Sequence, residues 1–216
     1  MSIKLNGTAA SPGIAIGVAY VLTDKKRKAV EQYELSDEEV DGEIRRFNEA
    51  LQSSREQLQQ ASSMLSKVTD PEYASILEAQ AMFLDDVALT DATIEEVKET
   101  HLNAAFLFER RVSAIVERFH AIEDPLFQAR DKDVMDVSCR VLANLGYKTH
   151  NNLVLAPDGV IIVAHDIPPS ETPTLFTKNI KAFVLDKGGP TSHTAIIAKA
   201  VELPAVVALP NATAIV

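Results

Sequence analysis

Two hydrophobic periodicities divide this chain. From residue 36 to residue 146, apolar residues recur at intervals of three, four and seven, which is typical of amphipathic α-helices. The first helix is predicted to begin at a capping box formed by Ser36 and Glu39 and to run to about Ser66. Four more helices are predicted to start at Asp70-Pro71, Thr90, Asn103 and Asp124-Pro125. Gly146 is predicted to end the last one.

Outside that block, short apolar runs between turn signals predict β-strands. These runs are residues 14–22, 153–155, 160–164, 182–185 and 205–208. Helices are predicted from Pro168 and from Thr194 to Val201. Because a strand at 14–22 needs a sheet and the other strands follow residue 150, we interpret the helical block as an insertion. The predicted domains are a discontinuous α/β domain, residues 1–30 with 147–216, and an all-α bundle, residues 31–146.

Acidic charge is concentrated in the helical block. The whole chain has a formal net charge of −10. Residues 33–146 contain 24 Asp and Glu and 11 Lys and Arg, so this block carries −13 and the remaining residues carry +3. An acidic protein is a poor partner for nucleic acid or anionic lipid, and we expect neither. The uneven charge predicts two bodies with different partners.

Composition indicates a globular protein, with 46% apolar residues. No apolar run approaches the ~20 residues of a membrane span, so no membrane insertion is predicted. The N-terminal residues lack the apolar core of a signal peptide, so we expect a cytoplasmic location. The single cysteine, Cys139, excludes an internal disulfide. The five histidines show no metal-ligand spacing, so no metal or cofactor is predicted in this chain.

The candidate chemistry lies between Gly188 and Lys199. A strand leads into Gly188-Gly189, and Thr191 or Ser192 can cap the helix that follows, which places His193 in its first turn. Unpaired N–H groups and the helix dipole favour an anion there, phosphate above all. The dipole lowers the pKa of an imidazole and keeps it neutral and nucleophilic. The hypothesis is a phosphorylated histidine, and the alternative is a surface or capping residue.

Two further groups complete the predicted site. Thr194 follows the histidine directly in the same turn. His165 and Asp166 end a predicted strand, where they could approach His193 and orient its imidazole. The alternative for this pair is an ordinary polar turn.

A resemblance to a known family rests on several segments. Residues 188–198, Gly-Gly-Pro-Thr-Ser-His-Thr-Ala-Ile-Ile-Ala, resemble the phosphohistidine signature of enzymes that use phosphoenolpyruvate. Residues 10–17, 76–86 and 169–172 are similar to segments of one such family, Enzyme I of the phosphotransferase system. These matches occur in the same order along residues 7–208.

This resemblance implies a fold and a function. The α/β body would be a swivelling β/β/α phosphohistidine domain, and the inserted bundle would bind the phosphocarrier protein HPr. His193 would accept a phosphoryl group from phosphoenolpyruvate at Nε2 and pass it to a histidine of HPr. Phosphoenolpyruvate and Mg²⁺ would bind to a C-terminal barrel, which we expect to be absent from this chain. The residues implied for HPr docking are Glu72, Glu78, Met82, Phe83, Asp86 and Leu89.

Two alternatives stay open: the swivelling domain of a phosphoenolpyruvate synthase or pyruvate phosphate dikinase, and a non-catalytic protein-binding module. The chain also departs from the Enzyme I pattern. Pro168 replaces a Thr that bonds the active histidine, Pro190 and Lys199 each replace an Arg, and Gln80 replaces a His. We therefore expect altered local geometry at the two prolines, with His165 or Asp166 orienting His193.

Overall fold

A computed structural model gives the fold. It describes residues 3–22, 29–67, 71–122, 125–147, 153, 156–168, 171, 178–190 and 192–216. Within these ranges, only the backbone is described for residues 71–74, 76, 125–129, 132 and 193.

The described residues form a mixed α/β structure with one five-stranded sheet and seven α-helices. The strands are β1 Thr8–Ser11, β2 Ala19–Leu22, β3 Ile161–Ala164, β4 Ala182–Leu185 and β5 Ala205–Val207. The helices are α1 Asp37–Leu65, α2 Pro71–Met82, α3 Asp91–Thr100, α4 Ala104–Ala121, α5 Pro125–Asn144, α6 His193–Ala200 and α7 Ala212–Ile215. A short 3₁₀ helix, Phe83–Asp85, follows α2.

The chain divides into two compact units. The sheet unit comprises Met1–Lys26, Ala61–Ile76 and His150–Val216, and the helical unit comprises Arg27–Gln60 and Leu77–Thr149. The domain boundaries predicted from the sequence, at residues 30/31 and 146/147, stay a prediction.

The sheet has the strand order β1-β5-β4-β3-β2. Strands β2 to β5 pair in parallel, and β1 is antiparallel to β5. Because side chains alternate along a strand, the sheet has two apolar faces. Ile162, Phe183 and Val207 belong to the core that includes Ala195 and Ala198 of α6. Val163, Val184 and Val206 pack with Leu209 and with Ala212 of α7.

The helical unit is built around buried apolar stripes of its helices. The rings of Phe47 in α1 and Phe108 in α4 pack with centroids 5.5 Å apart, and both side chains are fully buried. Helix α4 also packs against α3 and α5. The buried Glu43 of α1 accepts the backbone N–H of Ala104 at 2.8 Å, at the first residue of α4. This carboxylate therefore joins two helices that are distant in sequence.

Local signals placed two helix ends correctly. Helix α1 starts one residue after Ser36, whose N–H and hydroxyl donate to Glu39 Oε2 at 2.9 and 2.8 Å. Helix α5 ends before Gly146, which has φ +85°. Gly146 N and Tyr147 N donate to the carbonyls of Ala143 and Leu142 at 2.9 Å each, which is the Schellman arrangement.

The prediction that the Asn103 side chain caps the fourth helix is wrong. Asn103 precedes α4, but its side chain makes no capping hydrogen bond. Its Oδ1 instead accepts from Tyr33 N at 3.0 Å, and its Nδ2 donates to Glu31 O at 3.2 Å. Glu43 accepts the first N–H of α4 in place of Asn103. The side-chain amide of Asn103 instead binds the segment before α1.

The prediction of one strand over residues 14–22 is also wrong in its extent. Only Ala19–Leu22 is strand, and Ile14 and Ile16 are 93% and 84% exposed. The sequence missed β1, Thr8–Ser11, because Thr-Ala-Ala-Ser has little of the apolar alternation of a strand. It also missed α7, whose four residues are too few for helical periodicity.

Several predictions fall largely outside the described residues. Of the strand predicted at 153–155, only Leu153 is described, and it is buried in a helical turn. Of the helix predicted from Pro168, the described part is a turn in which Glu171 N donates to Pro168 O at 3.0 Å.

Candidate functional site

The loop after β4 turns at a glycine with a left-handed backbone. Gly188 has φ +97°, and an added Cβ would lie 3.4 Å from Ser192 Oγ and 3.6 Å from Val207 Cβ. Residues with a side chain rarely adopt that φ. The turn closes through Ser192 N, which donates to Gly189 O at 3.0 Å. The loop therefore carries the chain from the end of β4 to the start of α6.

Ser192, one of the two residues predicted to cap this helix, is the cap of α6. Its backbone is extended, and its hydroxyl oxygen accepts from Ala195 N at 3.3 Å. Its carbonyl accepts from Ile196 N at 3.0 Å. His193 is thus the first residue of the helix. The side chain of His193 and the whole of Thr191 lie outside the described residues.

Thr194 fixes the start of α6 to the segment after β3. Its side chain is fully buried, and its hydroxyl donates to Ile167 O at 3.4 Å. Ile167 itself belongs to the core beneath α6. The turn that begins with His193 is therefore anchored at the carboxyl edge of the parallel strands, where open α/β sheets bind their ligands.

His165 and Asp166 lie at that edge, but their described partners are not on α6. His165 Nδ1 lies 3.3 Å from Asp186 Oδ2. Asp166 Oδ1 accepts from the adjacent Ile167 N at 2.9 Å. The predicted role of these two residues in orienting His193 stays a prediction.

Asp186 is a residue of this edge that sequence reasoning missed. Its side chain is 8% exposed, and its oxygens accept from Thr213 N at 3.1 Å and Thr213 Oγ1 at 2.6 Å. Burial alone would raise the pKa of Asp186, but the hydrogen bonds from Thr213 and His165 outweigh it and lower the pKa. In the sequence, the only signal at Asp186 is its position between a predicted strand and a glycine turn.

Lys199 reaches back from α6 to the loop. Its Nζ donates to Pro190 O at 3.3 Å, and its side chain is exposed. A cation therefore lies beside the loop that precedes His193, at a position that the sequence singled out as a departure from Enzyme I.

Four of the predicted docking residues, Glu78, Met82, Phe83 and Asp86, lie around the end of α2. Met82 is 72% exposed, Glu78 and Asp86 are exposed, and Phe83 is half-buried. The prediction that Leu89 belongs to the docking surface is wrong, because this side chain is 2% exposed and is part of the hydrophobic core. The side chain of Glu72 lies outside the described residues.

Val87, which was not predicted, is 65% exposed in the same segment as Met82. Asp86 shapes this segment, since its Oδ1 accepts from Ala88 N at 2.8 Å. The exposed apolar side chains of Met82 and Val87 therefore lie in a segment that also carries the exposed carboxylate of Asp86.

Among the described side chains, no group of three or more His, Cys, Asp or Glu is arranged to hold a metal ion. None of the described helices is both long and apolar enough to cross a membrane.

Two family descriptions match this chain in succession. Residues 6–130 match "PEP-utilising enzyme, N-terminal", and residues 156–216 match "PEP-utilising enzyme, mobile domain". The chain belongs to the phosphoenolpyruvate-utilising enzymes.

Within this family, the chain is similar to proteins named phosphoenolpyruvate-protein phosphotransferase. Those of Listeria innocua and Bacillus subtilis are each 36% identical to it, over 99% and 97% of this chain. The chain spans 37% and 36% of the length of these two relatives.

Two solved structures are similar to this chain in fold. A solution structure of Enzyme I is similar with a TM-score of 0.72 and 33% identity, covering 99% of this chain and 86% of that chain. The N-terminal domain of Enzyme 1 - Nitrogen has a TM-score of 0.73 over 98% of this chain and, at 20% identity, shares the fold.

Proposed function

We propose that this phosphoenolpyruvate-utilising chain is the phosphoryl-carrying part of a phosphoenolpyruvate-protein phosphotransferase of the Enzyme I type. In this proposal, His193 accepts a phosphoryl group and passes it to a histidine of an HPr-type carrier. The observation that carries the proposal is the position of His193 as the first residue of α6, directly after a glycine turn at the carboxyl edge of the parallel strands.

The start of α6 suits a phosphoryl group. The first N–H groups of a helix have no partner within the helix, and its dipole places partial positive charge there. Lys199 adds a cation beside the loop through its contact with Pro190 O. These groups can stabilise the negative charge that the phosphoryl group brings to His193.

The transfer itself is two displacements at phosphorus. Nε2 of His193 attacks the phosphorus of phosphoenolpyruvate, the ester P–O bond breaks, and enolpyruvate leaves with the bonding electrons. In the second displacement, the carrier imidazole attacks, and the P–N bond to His193 breaks. We assign phosphoenolpyruvate and Mg²⁺ to a barrel outside this chain, with the sheet unit as a swivelling phosphohistidine domain.

The helical unit is the proposed docking partner of the carrier. The exposed Met82 and Val87 provide apolar contact, and Glu78 and Asp86 provide negative charge. Interfaces of this kind combine an apolar centre with complementary charge at the rim. We therefore propose a carrier surface with apolar side chains surrounded by basic ones.

Mixing this chain with phospho-HPr tests the proposed transfer. We expect a rapid, acid-labile gain of one phosphoryl group by intact mass, mapped to the peptide that contains His193. The variant His193→Ala should lose this rapid phase while circular dichroism shows an unchanged fold. If the wild type, folded and mixed with active phospho-HPr, gains no phosphoryl group, the proposed function is wrong.

A further inference from the structure

A second histidine of the sheet unit is held in a geometry that suits nucleophilic chemistry. His165 follows β3 and Asp186 follows β4, and these residues continue the register in which Ala164 pairs with Leu185. Lys187 N donates to His165 O at 3.0 Å. The two side chains meet with Nδ1 of His165 3.3 Å from Oδ2 of Asp186.

The carboxylate of this pair is fixed and ionised. Asp186 is 8% exposed and accepts two hydrogen bonds from Thr213, at 3.1 and 2.6 Å. Burial opposes ionisation, but the hydrogen bonds from Thr213 and His165 prevail and lower the pKa of Asp186 below its ordinary 3.8. An ionised carboxylate only accepts hydrogen bonds, so Nδ1 of His165 must be the donor.

The tautomer of His165 follows from this pairing. With the proton on Nδ1, the neutral ring carries its lone pair on Nε2. The His165 side chain is 41% exposed, and Nε2 is the ring nitrogen that is not paired with Asp186. A nucleophile oriented by a second group, itself held by a third, is the arrangement that activates histidines in covalent catalysis.

The side-chain partner described for His165 is Asp186, which in turn contacts α7. Ala164 and Leu185 face the core that includes α6. Because side chains alternate, the residues that follow them face the other side of the sheet. Thr213 of α7, which contacts Asp186, lies on that other side, where Ala212 packs. The pairing of His165 with Asp186 is therefore supported from the α7 side of the sheet.

We propose that His165 is a second phosphoryl-accepting histidine, which reacts through Nε2 with donors that carry a P–N bond. In the step, the Nε2 lone pair forms the new P–N bond, the P–N bond of the donor breaks, and the donor nitrogen leaves with the electron pair. The proton on Nδ1 stays in its hydrogen bond to Asp186. The phosphorylated ring is then cationic, and the buried carboxylate balances its charge.

Two other histidines serve as comparisons within the same chain. His101 is paired through the same nitrogen, with Nδ1 3.2 Å from Asp37 Oδ1, but the Asp37 side chain is 93% exposed. Exposed ion pairs of this kind are weak and short-lived. His120 is paired through the opposite nitrogen, with Nε2 3.0 Å from Asp131 Oδ2.

Phosphoramidate, a small P–N donor, tests the proposal in the His193→Ala variant. We expect His165 to be labelled about five times faster than His101, because its pairing carboxylate is fixed. Peptide mapping under alkaline conditions gives the rates, and ³¹P NMR identifies Nε2 as the phosphorylated nitrogen. Asp186→Asn keeps the shape but removes the charge, and it should lower the His165 rate to that of His101.

Circular dichroism and the His101 rate check that each variant is folded, and His165→Gln assigns the signal. If Asp186→Asn unfolds, Thr213→Val loosens the carboxylate and should slow labelling in the same direction. Labelling of His165 no faster than His101, or at Nδ1, overturns the proposal. Because the assay uses neither His193 nor a carrier, its failure leaves the proposed function standing, and failure of the phospho-HPr experiment leaves this one standing.

Discussion

Gly188 is the residue whose backbone determines the shape of the loop between β4 and α6. Its φ of +97° is closed to most side chains, whereas Gly189 beside it has no positive φ, and no atom of the described residues lies within 4 Å of an added Cβ there. The two adjacent glycines therefore differ. The backbone conformation requires a glycine at position 188 but not at position 189.

We therefore expect Gly188→Ala and Gly189→Ala to differ. The left-handed backbone should cost Gly188→Ala about 1–2 kcal/mol in the free energy of unfolding, measured by urea denaturation. It should also slow phosphorylation of His193 by phospho-HPr. Gly189→Ala is the matched control and should stay within about 0.5 kcal/mol of the wild type. Equal effects of the two substitutions would contradict this account of the loop.

Asp186 makes stability depend on acid pH. Its pKa is lowered in the folded chain, so it contributes stability above its ordinary pKa of 3.8 and loses it as the pH falls through the lowered value. We expect Asp186→Asn to cost about 1–2 kcal/mol at neutral pH and to flatten the acid limb of the unfolding curve. Asp158→Asn removes an exposed carboxylate and is the control. An unchanged acid limb in Asp186→Asn would count against the role of this carboxylate.

The sequence predicted the residues of this site that act locally and missed those that act at a distance. Ser192 and His193 were placed correctly because a cap and a first turn are set by neighbouring residues. Asp186 was missed because its partners, His165 and Thr213, are 21 and 27 residues away. His165 lies after β3 and Thr213 lies in α7, and the sheet is what brings these two elements to Asp186.

At the scale of elements, Glu43 links α1 to α4 through contacts that periodicity does not show. Its carboxylate accepts from Ala104 N at 2.8 Å and pairs with Arg46 Nε at 2.9 Å. Arg46 also donates to Leu145 O at 2.9 Å, next to the end of α5. Three helices therefore depend on one buried carboxylate and its guanidinium partner.

We expect Glu43→Ala to cost about 2–3 kcal/mol, because it leaves a helix start and a guanidinium unsatisfied. Glu95→Ala is the control, since Glu95 pairs with Lys98 at an exposed site and should cost less than about 0.5 kcal/mol. Urea denaturation of both variants measures the difference. Comparable losses would show that Glu43 has no special structural role.

Tyr33 reports on the same carboxylate. Burial first, and the charge of Glu43 second, raise the pKa of Tyr33 from 10.0 to about 12. Glu43→Gln keeps the shape and removes the charge, so the pKa should fall towards its ordinary value. Ultraviolet absorbance of the tyrosinate gives the titration, and Tyr33→Phe identifies its signal. A pKa that does not move in Glu43→Gln would show that the charge of Glu43 does not contribute to the raised value.

Element types and order were predicted well, and the exceptions have a physical reason. Long helices were found because a repeated apolar stripe gives many independent indications of the same helix. Strand β1 and helix α7 have four residues each and depend on pairing with β5 and on packing under the sheet. Such elements are stabilised by tertiary contacts, which no local pattern contains.

At the scale of the whole molecule, the acidic block at residues 33–146 should govern carrier association. Its net charge of −13 contrasts with +3 on the remaining residues. Raising the ionic strength from about 0.05 to 0.5 M should lower the association rate with phospho-HPr about tenfold, measured by stopped flow. Glu78→Gln should slow association more than Glu38→Gln, which removes an exposed charge outside the proposed docking face. No salt dependence would contradict electrostatic steering.

The sheet joins pieces of chain that are synthesised far apart in time. Strand β2 ends at Leu22, and its neighbour β3 begins at Ile161, about 140 residues later. A pairing of such high contact order forms slowly, whereas neighbouring helices form early. On the ribosome, the helices between them can be complete before the partner of β2 has been translated. Until then the edge of β2 has no native neighbour, so the segment Ala19–Leu22 is exposed to misassembly during synthesis.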